Sequence, residues 1–171
     1  MKKHTYGFTI VELLIVIVVV GVLTAISVIA YTNLQNRARA AAIQSDLTNA
    51  MKQLKLYRVT APEYPNSPTQ LQAVGITASK DMYDMKPSGG AANLYYCLNR
   101  ATDEVILSAR TTGDKDAFFI TSSGSLTKFT PPANLSGTPT CQTIGLTGST
   151  DANAYYTYGY LPDGGWQSWV K

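Results

Sequence analysis

Glu12 is the only formally charged side chain between Phe8 and Asn36. It stands just before an apolar run, Leu13 to Ala30, of about the 18–20 residues that a bilayer-spanning helix needs. A carboxylate is expensive there. Insertion scales put an acid at a helix centre at ~2.5–3.5 kcal/mol, and somewhat less near the interface. An ionisable group in that setting points to function and needs a partner. A cut between Gly7 and Phe8 would supply one by freeing an α-amino group four residues from the acid. At ~4 Å and an effective dielectric near 20 an amine–carboxylate pair is worth ~4 kcal/mol, which offsets the insertion cost. Within one chain the two groups lie one turn apart, and an adjacent chain offers the same amine across a shared interface. Glu12 therefore reads as a register device between chains.

Other chemistry is sparse. The single histidine, His4, precedes the proposed cut, so a Ser or Cys nucleophile would lack its usual base. The two cysteines have neither CxxC nor Cys/His spacing for zinc. Gly89-Gly90 and Gly164-Gly165 lack the lysine and the strand–helix context of a phosphate loop. Asp114 with Asp116, and Asp81 with Asp84, make a faint calcium-loop pattern that solvated turns explain better. We expect no metal, no cofactor and no enzymatic activity. The net charge is +3, with 15% charged residues and no basic block to suggest nucleic acid. The remaining composition, rich in Thr, Ser, Ala, Gly and Tyr, suits an uncharged extracellular surface.

The elements that would carry these residues follow from periodicity. Ala40, Ile43, Leu47, Ala50, Met51, Leu54 and Tyr57 recur in steps of three and four, giving one apolar helix face. No proline or glycine falls between Val22 and Arg58, so one helix from about Thr9 to Arg58 is expected, ~75 Å at 1.5 Å per residue. Its first half is apolar all round, with Gly21, Thr24, Ala25 and Ser27 small enough for close helix approach. Pro62, Pro65 and Pro68 end it. Ser67 as N-cap, Pro68 as first residue and Gly75 as stop define a short second helix. Turn chemistry at Pro87-Ser88-Gly89-Gly90 predicts little regular structure over residues 80–92. Four strands are expected at 93–98, 104–110, 117–122 and 125–129. One face of this meander would pack on the helix, Ile43, Leu47, Met51 and Leu54 meeting Leu94 or Tyr95, Val105 or Ile106, and Phe118 or Phe119. The expected class is α+β, a long helical spine against an antiparallel meander sheet of about four strands. The tail carries Tyr155, Tyr156, Tyr158, Tyr160, Trp166 and Trp169. These rings suit either a surface platform for sugars or bases or packing over the sheet and against neighbouring subunits; packing is the plainer reading.

The N-terminal residues Lys2-Lys3-His4-Thr5-Tyr6-Gly7 followed by Phe8-Thr9-Ile10-Val11-Glu12-Leu13 resemble the class III leader of type IV prepilins and pseudopilins, over roughly residues 2–40. The resemblance implies cleavage after Gly7 by a prepilin peptidase, N-methylation of Phe8, and retention of the apolar helix. It implies a type IV pilin-like fold with a leader at 1–7, a transmembrane and assembly helix at 8–30, an amphipathic half at 31–58 and an extracytoplasmic head at 59–171. Its partners would be other copies of the chain in a helical filament, the membrane, an assembly ATPase and a platform protein, with a surface ligand or DNA as a further option. The protein would be a single-pass membrane protein before assembly and then part of an extracellular pilus. With the head outside, Cys97 and Cys141 are expected to form a disulfide closing some 45 residues, worth ~4 kcal/mol. Many type IV pilins have a proline in the middle of this helix where Ile29 stands here, so the local melting that such a proline promotes is not expected to carry over. Three roles fit: a pilus subunit, a minor pilin acting as adhesin or DNA-uptake module, and a type II secretion pseudopilin. A secretory signal peptide cut after Ala30 is the rival for the N-terminus.

Overall fold

The computed structural model describes residues 7–83, 93–112, 116–130, 140–161 and 163–171. The chain divides into two units, residues 1–37 and 38–171. One element is shared between them: helix α1, Ile10–Thr60, 51 residues without a break. It ends two residues beyond the expected Arg58. In the first unit every residue from Gly7 to Leu34 is exposed, so this apolar surface is left uncovered by the described residues. Among the described residues α1 is the one helix long and apolar enough to cross a membrane.

The second unit is helix and sheet. The part of α1 within it buries Ala40, Ile43, Leu47, Ala50, Met51 and Leu54, the stripe set by the 3.6-residue period. The turn at its C-terminus is fixed by Arg58, whose guanidinium pairs with Asp103 and donates to the Ala61 carbonyl. Asp103 also accepts from the Tyr64 N–H at 3.0 Å. Helix α2, Pro68–Val74, has the caps its sequence calls for: Ser67 accepts from the Gln70 N–H, and Gly75 takes the left-handed conformation at φ 75°. Over residues 80–92, Lys80–Met82 forms a single 3-10 turn and residues 84–92 lie outside the described residues. Asp46 of α1 holds this segment by accepting from the Ser79 N–H at 2.6 Å and from the Tyr83 hydroxyl at 3.1 Å. Burial, and then the Asp46 carboxylate, push the Tyr83 phenol well above its ordinary pKa, so it stays a donor.

The sheet has six strands where about four were expected. They are β1 Asn93–Asn99, β2 Glu104–Arg110, β3 Ala117–Thr121, β4 Thr127–Phe129, β5 Ala154–Leu161 and β6 Gly165–Trp166. Their order is β4-β3-β2-β1-β5-β6, all antiparallel. The first four match the meander, with β4 beginning at Thr127 rather than Ser125. The extra two come from the aromatic tail. β5 carries rings on both faces, so it lacks the polar–apolar alternation that marks a strand with one wet face.

Alternation also decides which strand residues meet the helix. Leu94, Tyr96, Leu98, Val105, Leu107, Ala109, Phe118 and Ile120 join the α1 stripe in the main core. The other options, Tyr95, Ile106 and Phe119, point to the far face, which has its own cluster with Cys97, Cys141, Ile144 and Leu146. Both faces of the sheet are thus covered. One irregularity fixes a glycine. Leu94 sits at φ 51° in β1, its N–H bonded to Asn93 Oδ1, and its side chain fills the space where residue 159 would place a Cβ. That Cβ would lie 2.6 Å from a Leu94 methyl, so β5 has glycine at this point.

Candidate functional site

Glu12 falls in the first turn of α1. Thr9 precedes the helix, and the two residues cap it reciprocally. The Thr9 N–H and hydroxyl donate to Glu12 Oε2 at 2.8 and 2.7 Å, and the Glu12 N–H donates to Thr9 Oγ1 at 3.3 Å. This is a capping box, which satisfies backbone donors that a helix start leaves open. The spacing Thr-x-x-Glu at 9–12 announces it in the sequence, and reading Glu12 only as an ion-pair partner misses it. The box also provides a second reason for an acid here: two hydrogen bonds from Thr9 and the positive end of the helix dipole stabilise the carboxylate. All three bonds use Oε2 or Thr9 and leave Glu12 Oε1 aside.

Gly7 and Phe8 come before the helix, outside regular secondary structure, and Phe8 is 83% exposed. The scissile bond proposed from sequence is therefore open to an enzyme. Lys2, Lys3 and His4 lie outside the described residues. Within the apolar run, the Thr24 hydroxyl donates to the Val20 carbonyl at 2.7 Å and the Ser27 hydroxyl to the Leu23 carbonyl at 2.8 Å. Each polar side chain is satisfied by its own helix, as hydrocarbon surroundings require. Ile29 stands in regular helix.

Cys97 of β1 and Cys141 form the disulfide, with Cα atoms 5.6 Å apart. Cys141 begins a 3-10 turn, Cys141–Ile144, that lies over the far face of the sheet. Both cysteines are fully buried, and the Tyr95 hydroxyl lies 3.3 Å from the Cys141 sulfur.

The tail aromatics are split between the faces. Trp169 is buried in the main core, its Nε1 donating to the Tyr158 carbonyl at 3.1 Å, and Tyr155 packs on the same side beside Tyr96. Tyr156 and Tyr158 lie on the far face against Tyr95. Tyr160 and Tyr83 both meet the Trp166 ring edge-on, with the Lys80 ammonium 5.6 Å from that ring's centre. Of the six rings only Tyr156 is exposed, at 40%. The rings do not form one continuous exposed platform.

No cluster of His, Cys, Asp or Glu among the described residues could hold a metal ion. Asp116 pairs with Lys128, and Asp84 and Asp114 fall outside the described residues.

An exposed Gly7–Phe8 segment, a capped acid at the head of a long exposed apolar helix, and an α+β body in the second unit fit the type IV pilin-like layout that the N-terminal residues resemble. The family model described as the prokaryotic N-terminal methylation motif matches residues 2–28, which take in Gly7, Phe8 and Glu12. The match supports a member of the type IV pilin and pseudopilin group, made as a membrane-anchored precursor. No curated protein and no solved structure matches the chain.

Proposed function

We propose that the chain is a structural subunit of a type IV pilus, freed from its leader between Gly7 and Phe8 and polymerised through the apolar part of α1. The observation that carries this reading is the wholly exposed apolar helix behind the methylation motif. Such a surface is stable in lipid or against other copies of itself, and moving from one to the other is what assembly requires. Prepilin peptidase, an assembly ATPase and a platform protein would serve this cycle, and the head would end outside the cell. Identifying the mature N-terminus by Edman sequencing or mass spectrometry tests the reading. The expected first residue is Phe8, methylated or not; a chain beginning at Tyr31 would be a secreted domain and would overturn it.

Glu12 has two tasks in this scheme. Oε2 caps its own helix through Thr9, and Oε1 is left to receive the Phe8 amine of a neighbouring subunit. Losing even a third of the ~4 kcal/mol of such a pair lowers an association constant about tenfold. Glu12→Gln should therefore leave membrane insertion intact and cut sheared filament by about tenfold or more. Glu12→Ala removes the cap as well and should do no better. Normal filament yield from both would refute the pairing.

The distribution of the tail rings supports packing over the adhesin or DNA-uptake alternative, because all six make contacts within the body and five of them are not exposed.

A further inference from the structure

Arg37 is the first charged residue after Glu12, and it follows the apolar run by a few residues only. It is exposed on α1, within the first unit. Its side chain has no ion-pair or hydrogen-bond partner among the described residues, whose ion pairs include Arg58–Asp103 and Lys128–Asp116. The next cation in the sequence, Arg39, is half-buried. Once Lys2 and Lys3 leave with the leader, Arg37 is the cationic side chain nearest to the span.

Helix geometry sets its depth. Leu13 to Ala30 is ~27 Å long at 1.5 Å per residue, close to the ~30 Å of a bilayer's hydrocarbon layer. The Arg37 Cα then lies ~10 Å beyond that layer, and a helical side chain leans back toward the N-terminus, here toward the membrane. Head groups fill about the first 5–8 Å outside the hydrocarbon, so the guanidinium reaches them. Exposed Tyr31 stands at the boundary itself, a depth that suits an amphipathic ring. Below it a groove of about 540 Å³ runs along α1 from Val20 to Thr32, lined by Leu23, Val28 and Tyr31 among others. The Thr24, Ser27 and Thr32 hydroxyls are spent on carbonyls of their own helix, so the groove is apolar. Arg37 lies about a third of a turn round the helix from Tyr31, an offset its long stem spans.

A phospholipid supplies both parts, an anion at head-group depth and an acyl chain beneath it. The guanidinium fork matches phosphate oxygens two at a time. A second copy inserted alongside does not supply the anion, because its one acid between Phe8 and Asn36 is Glu12, ~37 Å along the helix from Arg37. We propose that Arg37 holds the phosphate of an anionic phospholipid in the outer leaflet, with an acyl chain of that lipid along the Val20–Thr32 groove. The contact fixes the depth at which the mature subunit waits, and extraction into a filament has to break it. This rests on the reading above of a leader-cleaved, membrane-anchored subunit and names the ligand at the outer end of its span.

The test offers the full chain, purified in a neutral detergent, equal amounts of phosphatidylglycerol and phosphatidylcholine, and counts bound lipid by native mass spectrometry. Phosphatidylglycerol should be retained about fivefold over phosphatidylcholine, and Arg37→Gln should lose most of that preference. Arg37→Lys keeps the charge and should keep a preference for the anionic lipid. Lys52→Gln, at another exposed cation of α1, should leave the ratio unchanged. All three sites are exposed or solvent-facing enough that the fold loses little. Equal retention of the two lipids by the unsubstituted chain, or an unchanged ratio in Arg37→Gln, would overturn the proposal. Millimolar glycerol phosphate, a head group without acyl chains, should not displace the lipid; displacement would make Arg37 a site for free anions and overturn the lipid assignment. A mature chain beginning at Tyr31 would remove the anchored reading itself, and the N-terminal sequencing above detects that separately.

Discussion

Trp169→Ala should destabilise the head by about 3–5 kcal/mol, the range for removing a fully buried tryptophan. The residue is 1% exposed and joins the core between α1 and the sheet. It also holds the end of the chain in place. Beside it, Val170 makes a parallel bridge to Ile76, and the Lys171 N–H donates to the Ile76 carbonyl at 2.8 Å. Opening a cavity at Trp169 loosens this attachment together with the core. A domain's whole stability is only about 5–15 kcal/mol, so the variant head would be marginal. Trp169→Phe separates the causes. It keeps most of the apolar area but loses the hydrogen bond to Tyr158, and should cost about 1–2 kcal/mol including the smaller void. Urea titration of the detergent-solubilised full chain measures both, with Trp166 as the one remaining tryptophan reporter. A loss below about 1 kcal/mol for the alanine variant would contradict the core position.

Replacing Cys97 and Cys141 together by serine should cost about 4 kcal/mol on the chain-entropy account of a 44-residue separation. The far-face cluster adds to that, because two hydroxyls would replace sulfur among Tyr95, Ile106, Ile144 and Leu146. The same burial gives a kinetic signature. Thiol–disulfide exchange needs access to a sulfur, and neither is accessible in the folded head. Reductant added to native protein should leave the bond intact for long periods, whereas reductant added with denaturant should break it and lower the urea midpoint on refolding. Rapid reduction under native conditions would contradict the buried placement.

What the sequence disclosed followed from how local each cause is. The α1 stripe from Ile43 to Leu54 needs only the helical period, and the caps of α2 need only Ser67, Pro68 and Gly75. Strands β1 to β3 were legible because apolar runs alternate with turn residues. The choice between Leu94 and Tyr95, or Phe118 and Phe119, stayed open because both faces of the sheet are apolar and only register decides. β5 was hidden for a related reason: adjacent Tyr155 and Tyr156 send rings to opposite faces, and both faces are covered. The left-handed turn of Leu94 has no local signature either, since Asn93 and Gly159 permit it from two different strands. At the N-terminus Glu12 stood out by charge alone. Its bond with Thr9 is written in the Thr-x-x-Glu spacing, a local signal that the charge in an apolar run outweighs.

The strand order bears on how the head is made. β1 is the first strand synthesised, and its two neighbours arrive at very different times. β2 follows within a few residues, but β5 pairs Tyr160 with Asn93, a closure over more than 60 residues. Until β5 arrives, β1 presents an open hydrogen-bonding edge lined with tyrosines, the kind of edge that recruits other chains. Such non-local pairing is also slow. Because Cys141 precedes Ala154 in the chain, the Cys97–Cys141 bond can form before β5 is made and would shorten the search that β5 must make. A nascent chain stalled before residue 154 would leave that edge of β1 unpaired, so closure of the sheet waits on β5, Ala154–Leu161.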